Sequence, residues 1–172
     1  MPRILGIDPG SRITGFGIIE QVKGRLTYVE SGCIRAGDGD FAGRLKTIYD
    51  GLRDVVTIYA PEQVAIEQVF MHRNPDSALK LGQARGAAIC AVMSMGLELS
   101  EYTPAEIKQA TVGKGNAAKE QVQHMVQALL KLPGMPQADA ADALAVALCH
   151  THTKQTLGNV IGARGSRRGR YR

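Results

Sequence analysis

The chain has no basic segment followed by a long apolar run at its N-terminus, so no signal peptide is expected. No run approaches the length that spans a bilayer, and no membrane partner is expected. Cysteine is scarce. Cys33, Cys90 and Cys149 are odd in number and lack a Cys-x-x-Cys spacing. Each sits among apolar neighbours, so they read as reduced core thiols of a cytoplasmic protein. There is no internal repeat. Gly113-Lys114-Gly115 is not a phosphate-binding P-loop, because the spacing and the preceding strand are missing.

Acidic residues are absent from one region only. Between Lys154 and Arg172 lie six basic residues and no acidic one, and the rest of the chain holds 15 basic against 16 acidic residues. The net charge of +5 therefore belongs to the tail. Its end, ARGSRRGRYR, is rich in Gly and Arg, which predicts a disordered segment over 154–172 that touches a polyanion, with nucleic acid favoured over a merely solubilising role. Residues 1–153 read as one domain, large enough to bury roughly 70% of the unfolded chain's surface.

The organising stretch is RILGIDPGSRITGFGII, Arg3 to Ile19. It reads as a strand ending at Asp8, a tight turn, and an antiparallel second strand from about Thr14. Asp-Pro-Gly is also a good turn tripeptide, and alone this stretch says no more than that. LTYVESGCIR, Leu26 to Arg35, predicts a third strand after a turn at Lys23-Gly24. Leu45, Ile48, Leu52, Val55, Val56 and Tyr59 fall at helical spacing within 41–59. QVAIEQVF, Gln63 to Phe70, predicts a fourth strand. A helix from about Ser77 to Met95, capped by Asp76 or Ser77, carries many Ala and Gly residues that allow close backbone approach. Leu97 to Tyr102 predicts a fifth strand. Thr103-Pro104 opens another helix, Ala117 to Leu132 makes the next, and Ala138 to about His150 the last. Three antiparallel strands followed by two that enter through helical crossovers give an α/β fold: a ribonuclease H-like mixed five-stranded sheet flanked by helices.

The last helix opens with Asp139 and Asp142, three apart and so on one face. A first turn accommodates one carboxylate through the helix dipole. Two on one face repel, and the flanking alanines make the helix too buried to leave both solvated. In a sheet of this order the first and fourth strands are neighbours, which sets Asp8 beside Glu67, with Asp139 and Asp142 packing across that edge. Four carboxylates without a histidine or cysteine ligand suit a hard cation such as Mg²⁺ or Mn²⁺. Two such ions about 4 Å apart serve phosphodiester cleavage.

GIDPGSRITGFGII, AIEQVF, NPDSALKLGQARG and PQADAADALAVAL together resemble the RuvC family of bacterial Holliday-junction resolvases, over about residues 2 to 152. The resemblance implies a structure-selective, Mg²⁺-dependent endodeoxyribonuclease of recombination and repair. It further implies a homodimer that makes paired symmetric nicks in four-way junction DNA, working with a RuvA–RuvB branch-migration complex. The family's catalytic and metal-binding carboxylates carry over onto Asp8, Glu67, Asp139 and Asp142. It also places Lys108 and Lys119 near the scissile phosphate and Phe70 against an unstacked base. Arg73 and Lys114 are further expected DNA contacts. An aromatic at Phe70 is otherwise a core residue, surface lysines are otherwise silent, and His150 and His152 read as ordinary surface residues. Three rivals stay open: an actin-like or sugar-kinase ATPase, whose Asp-x-Gly turn Asp8-Pro9-Gly10 resembles but which needs two such domains, a non-catalytic junction-binding protein, and a ribonuclease H-like RNA-processing nuclease.

Overall fold

The structure is a computed structural model that describes residues 2–70 and 74–166. β1 (Arg3–Asp8) and β2 (Ile13–Val22) run antiparallel, with Asp8 opposite Gly15. Lys23 and Gly24 both take positive φ, 48° and 80°. That pair makes the two-residue turn whose twist suits a hairpin, and it delivers β3 (Arg25–Arg35) antiparallel to β2. Asp40 caps α1 (Phe41–Tyr59) by accepting from the Gly43 N–H. The chain then enters β4 (Gln63–Glu67), parallel to β1 with Ile66 opposite Ile7. α2 (Pro75–Met93) leads to β5 (Leu99–Tyr102), which is parallel to β4. α3 (Pro104–Val112), α4 (Lys119–Leu130) and α5 (Ala138–Ser166) follow. The sheet order is β3-β2-β1-β4-β5, three antiparallel strands and then two parallel ones, as the element order predicts.

Strand alternation decides which side chains meet which helices. Leu5 and Ile7 of β1 and Val64 and Ile66 of β4 pack with Ile48 and Leu52 of α1 and Val92 of α2. Ile4 and Ala65 point to the opposite face, against α3, α4 and α5. Asp8 has the parity of Ile4, and Glu67 that of Ala65. Both carboxylates therefore leave the sheet on the α5 side.

α5 lies unusually close to that face. A Cβ at Gly6 would stand 2.1 Å from the Ala143 carbonyl oxygen, and one at Gly15 2.0 Å from the Asp139 carbonyl oxygen. The helix answers with alanines: Ala140, Ala141, Ala143, Ala145 and Ala147 are all buried. Small residues on both surfaces bring backbone against backbone, which seats the first turn of α5 directly over the end of β1. Gly15→Ala must push that turn away, and overpacking of this kind costs about 1–3 kcal/mol. Denaturant unfolding should show that loss. Gly39→Ala, where nothing stands within 4 Å of the added methyl, should leave stability unchanged.

Several boundaries differ from the sequence expectations. β4 stops at Glu67, so Phe70 lies on the following loop, 57% exposed, and is neither a strand end nor core. Asn74 caps α2, its side-chain oxygen accepting from the Asp76 and Ser77 N–H groups; neither Asp76 nor Ser77 is the cap. Cys149 is buried, but Cys90 is exposed and Cys33 half-buried, so only one of the three is a core thiol. α5 does not end near His150. It continues to Ser166, and no Pro lies within it to interrupt it. Residues 167–172 lie outside the described residues. His150 is not a surface residue: it is 1% exposed, Nδ1 paired with the Tyr102 hydroxyl and Nε2 with Gln63 Oε1, both at 2.9 Å. Burial keeps its imidazole neutral, with the pKa lowered to about 4. Among the described residues no helix is long and apolar enough to cross a membrane.

Candidate active site

The ends of β1 and β4 and the first turn of α5 converge on one cleft of about 350 Å³. Asp8, Glu67 and Asp142 line it, with Lys108 of α3 and Lys119 at the start of α4 on its walls. Asp139, one turn earlier on α5, is half-buried beside them. It acts through space on both Asp8 and Asp142. α3 reaches the cleft in a fixed direction because Thr103 and Glu106 form a reciprocal capping box at its start.

The electrostatics are those of crowded carboxylates. Burial, then the charges of Glu67 and Asp142, push the Asp8 carboxyl from 3.8 up to about 8. Burial likewise raises Glu67 and Asp142. Asp8 and Glu67 lie close enough that each acts on the other's carboxyl. Lys119 Nζ sits 2.7 Å from Asp142 Oδ2, which raises the lysine and keeps it charged. One ammonium thus offsets part of the negative charge gathered here.

The structure brings together five of the residues singled out in the sequence, Asp8, Glu67, Asp142, Lys108 and Lys119, with Asp139 adjoining. It does not bring Lys114 into the cleft lining; that lysine is exposed on the loop between α3 and α4. Phe70 is exposed outside the cleft, three residues beyond Glu67. Arg73 lies outside the described residues. Sequence reasoning did not anticipate the Lys119–Asp142 ion pair or the two contacts of Arg85 behind Glu67. The one available signal was an arginine set between Ala84 and Gly86, in the part of the helix richest in small residues.

The sequence model of crossover junction endodeoxyribonuclease RuvC matches residues 4–150. The chain belongs to the RuvC family. Its likeness to curated members is full-length: 61% identity over 173 residues with the crossover junction endodeoxyribonuclease RuvC of Aeromonas hydrophila subsp. hydrophila, and 59% with that of Tolumonas auensis, covering 100% of both chains in each case. Among solved structures, Thermus thermophilus RuvC is 33% identical with a TM-score of 0.81, covering 90% of this chain and 96% of that one. T. thermophilus RuvC in complex with a Holliday junction substrate is 31% identical with a TM-score of 0.84, covering 91% and 96%. The yeast mitochondrial Holliday junction resolvase Ydc2, at 11% identity and a TM-score of 0.67 over 92% of this chain and 82% of that one, shares the fold. Family membership makes the chain an endodeoxyribonuclease.

Proposed function

We propose that this endonuclease resolves four-way DNA junctions in recombination and repair, cutting two strands at symmetric positions by cation-assisted phosphodiester hydrolysis. The observation that carries the reading is the gathering of Asp8, Glu67 and Asp142, with Asp139 adjoining, opposite Lys108 and Lys119 in one open cleft.

The donor set is all oxygen, which suits Mg²⁺, with Mn²⁺ able to substitute. Among the described residues no three candidate ligands already converge to enclose an ion; the Lys119 ammonium on Asp142 stands where positive charge is needed. Asp8, Glu67, Asp139 and Asp142 would hold the cations, two to a site. Bound there, they supply water activation and stabilisation of the leaving oxygen. The protein's own part is orientation and charge. Strand ends and a seated helix fix the carboxylates, while Lys108 and Lys119 offset the negative charge that builds on the phosphate. Phe70, exposed beside the site, offers a ring on which an unpaired base stacks. Arg73 and Lys114 add phosphate contacts.

A homodimer supplies the second cut. Leu79, Gly82, Gly86, Cys90 and Met93 form one outward face of α2; Leu79 is 68% and Met93 52% exposed, and nothing stands within 4 Å in front of either glycine. Two such helices can approach closely about a two-fold axis. A RuvA–RuvB branch-migration complex in the cytoplasm is the matching partner. The test compares purified protein with Mg²⁺ on a four-way DNA junction, a linear duplex and a structured RNA of equal charge. Selective cutting of the junction is expected. Equal or preferred cutting of the RNA would transfer the assignment to an RNA-processing nuclease, and binding without cutting to a junction-binding protein.

The basic C-terminus should bind phosphates without regard to sequence or junction shape. Deleting 154–172 should weaken DNA binding and flatten its salt dependence by close to one unit of slope for each phosphate that is no longer neutralised. Cleavage at saturating protein should persist. An unchanged slope would show that this segment touches no DNA.

A further inference from the structure

We propose that Arg85 is a positioning residue for Glu67, its guanidinium holding the last peptide of β4 so that the carboxylate faces Asp8. Arg85 lies on the sheet-facing side of α2, its side chain 17% exposed. Nε donates to the backbone carbonyl of Glu67 at 3.2 Å, while Nη2 pairs with Glu101 of β5. The N–H of Gln68, on the other side of the same peptide, donates to the Tyr102 carbonyl at 2.8 Å. The Glu67–Gln68 peptide is therefore gripped at both its oxygen and its nitrogen. Its plane is fixed at the point where the strand stops and the sheet ladder no longer supplies both partners. Fixing that plane fixes the direction in which the Glu67 side chain leaves the backbone.

The grip needs arginine. Its planar fork donates from two nitrogens in a set geometry, so one side chain reaches the carbonyl on β4 and the carboxylate on β5 together. A lysine can keep its charge and the pairing with Glu101, but it has no second rigid donor for the carbonyl. Arg85 touches neither substrate nor a reacting atom. Its influence passes through the placement of Glu67, and misplacement by about 1 Å at such a site costs on the order of 10²-fold in rate.

The inference rests on the role given to Glu67, and the experiment separates the two. Full-length wild type, Arg85→Gln, Arg85→Lys, Glu101→Gln and Glu67→Gln are compared for junction binding without divalent cation, for melting temperature with and without Mg²⁺, and for single-turnover cleavage at saturating protein. Arg85→Gln should bind junctions as wild type does, lose about 10²-fold in cleavage rate, and show a smaller rise in melting temperature on adding Mg²⁺. Arg85→Lys should fold normally and still lose at least about tenfold, which carries the test if Arg85→Gln is unstable. Glu101→Gln leaves the Nε contact in place and should lose less than either. Wild-type cleavage and a wild-type Mg²⁺ response in Arg85→Lys, with Glu67→Gln inactive, would overturn the inference alone. Normal cleavage by Glu67→Gln would overturn both it and the reading of Glu67.

Discussion

Asp8→Asn, Glu67→Gln, Asp139→Asn and Asp142→Asn should each abolish junction cutting, by more than about 10²-fold, while junction binding survives. Each change removes one anionic oxygen from a cluster that attracts cations and leaves every basic contact in place. Gel-shift binding in the absence of divalent cation and cleavage in its presence separate the two effects. Binding that fell in step with cutting in all four variants would end the assignment. Stability should move the other way. Burial and its neighbours raise the Asp8 carboxyl from 3.8 to about 8. A carboxyl raised on folding contributes stability that is complete below its unfolded pKa and is lost as pH rises through the folded one. Above pH 8 the cation-free wild type is therefore burdened by a buried charge that asparagine lacks. Asp8→Asn should melt above wild type there, and the gap should shrink as the pH falls toward 4. A variant that melted lower across the whole range would show that Asp8 is held by partners stronger than its repulsion.

A heterodimer of one wild-type and one Asp8→Asn chain should bind a four-way junction normally and leave a single nick. Each chain holds one group of four carboxylates and no internal repeat, so it can cut one strand at a time. Two duplexes are released only when two strands are cut. A two-fold dimer places its two sites as the two like strands of a junction are placed. Differently tagged chains allow the heterodimer to be isolated, and denaturing gels count the nicks. The expected product is a nicked junction, a complete loss of resolution from a half-inactive particle. Two symmetric nicks from that particle, or full resolution by a proven monomer, would refute the paired-site reading.

Much of the fold was legible because its signals are local. The apolar runs of β1, the Lys23-Gly24 turn, the spacing along α1 and the Thr103-Pro104 start of α3 each depend on a few neighbouring residues. Signals that compete locally were misread. Asn74 and Asp76 are both good caps, and the choice fell to Asn74 because Pro75, which fits a first helical position, follows it. Val69 and Phe70 extend the apolar run of β4 in sequence, but the strand stops at Glu67. His150 looked like surface because polarity alone says nothing about whether a tyrosine and a glutamine wait across the core.

The sequence by itself determined the strand order, the four carboxylates and the all-oxygen character of their donors. Each follows from residue type or from the order of strand and helix patterns along the chain. The side of the sheet on which Asp8 and Glu67 emerge was settled by the packing of α5 against Ile4 and Ala65. Only the tertiary structure decided how closely Asp139 and Asp142 come to them. That distance depends on α5 settling onto Gly6, Gly15 and Gly17, and a glycine shows its use as contact space only once the opposing backbone is known. The Lys119 pairing with Asp142 and the Arg85 grip on Glu67 were decided the same way. Each joins residues 18 or more positions apart in the chain, whose meeting is set by helix docking and not by anything in their own neighbourhood.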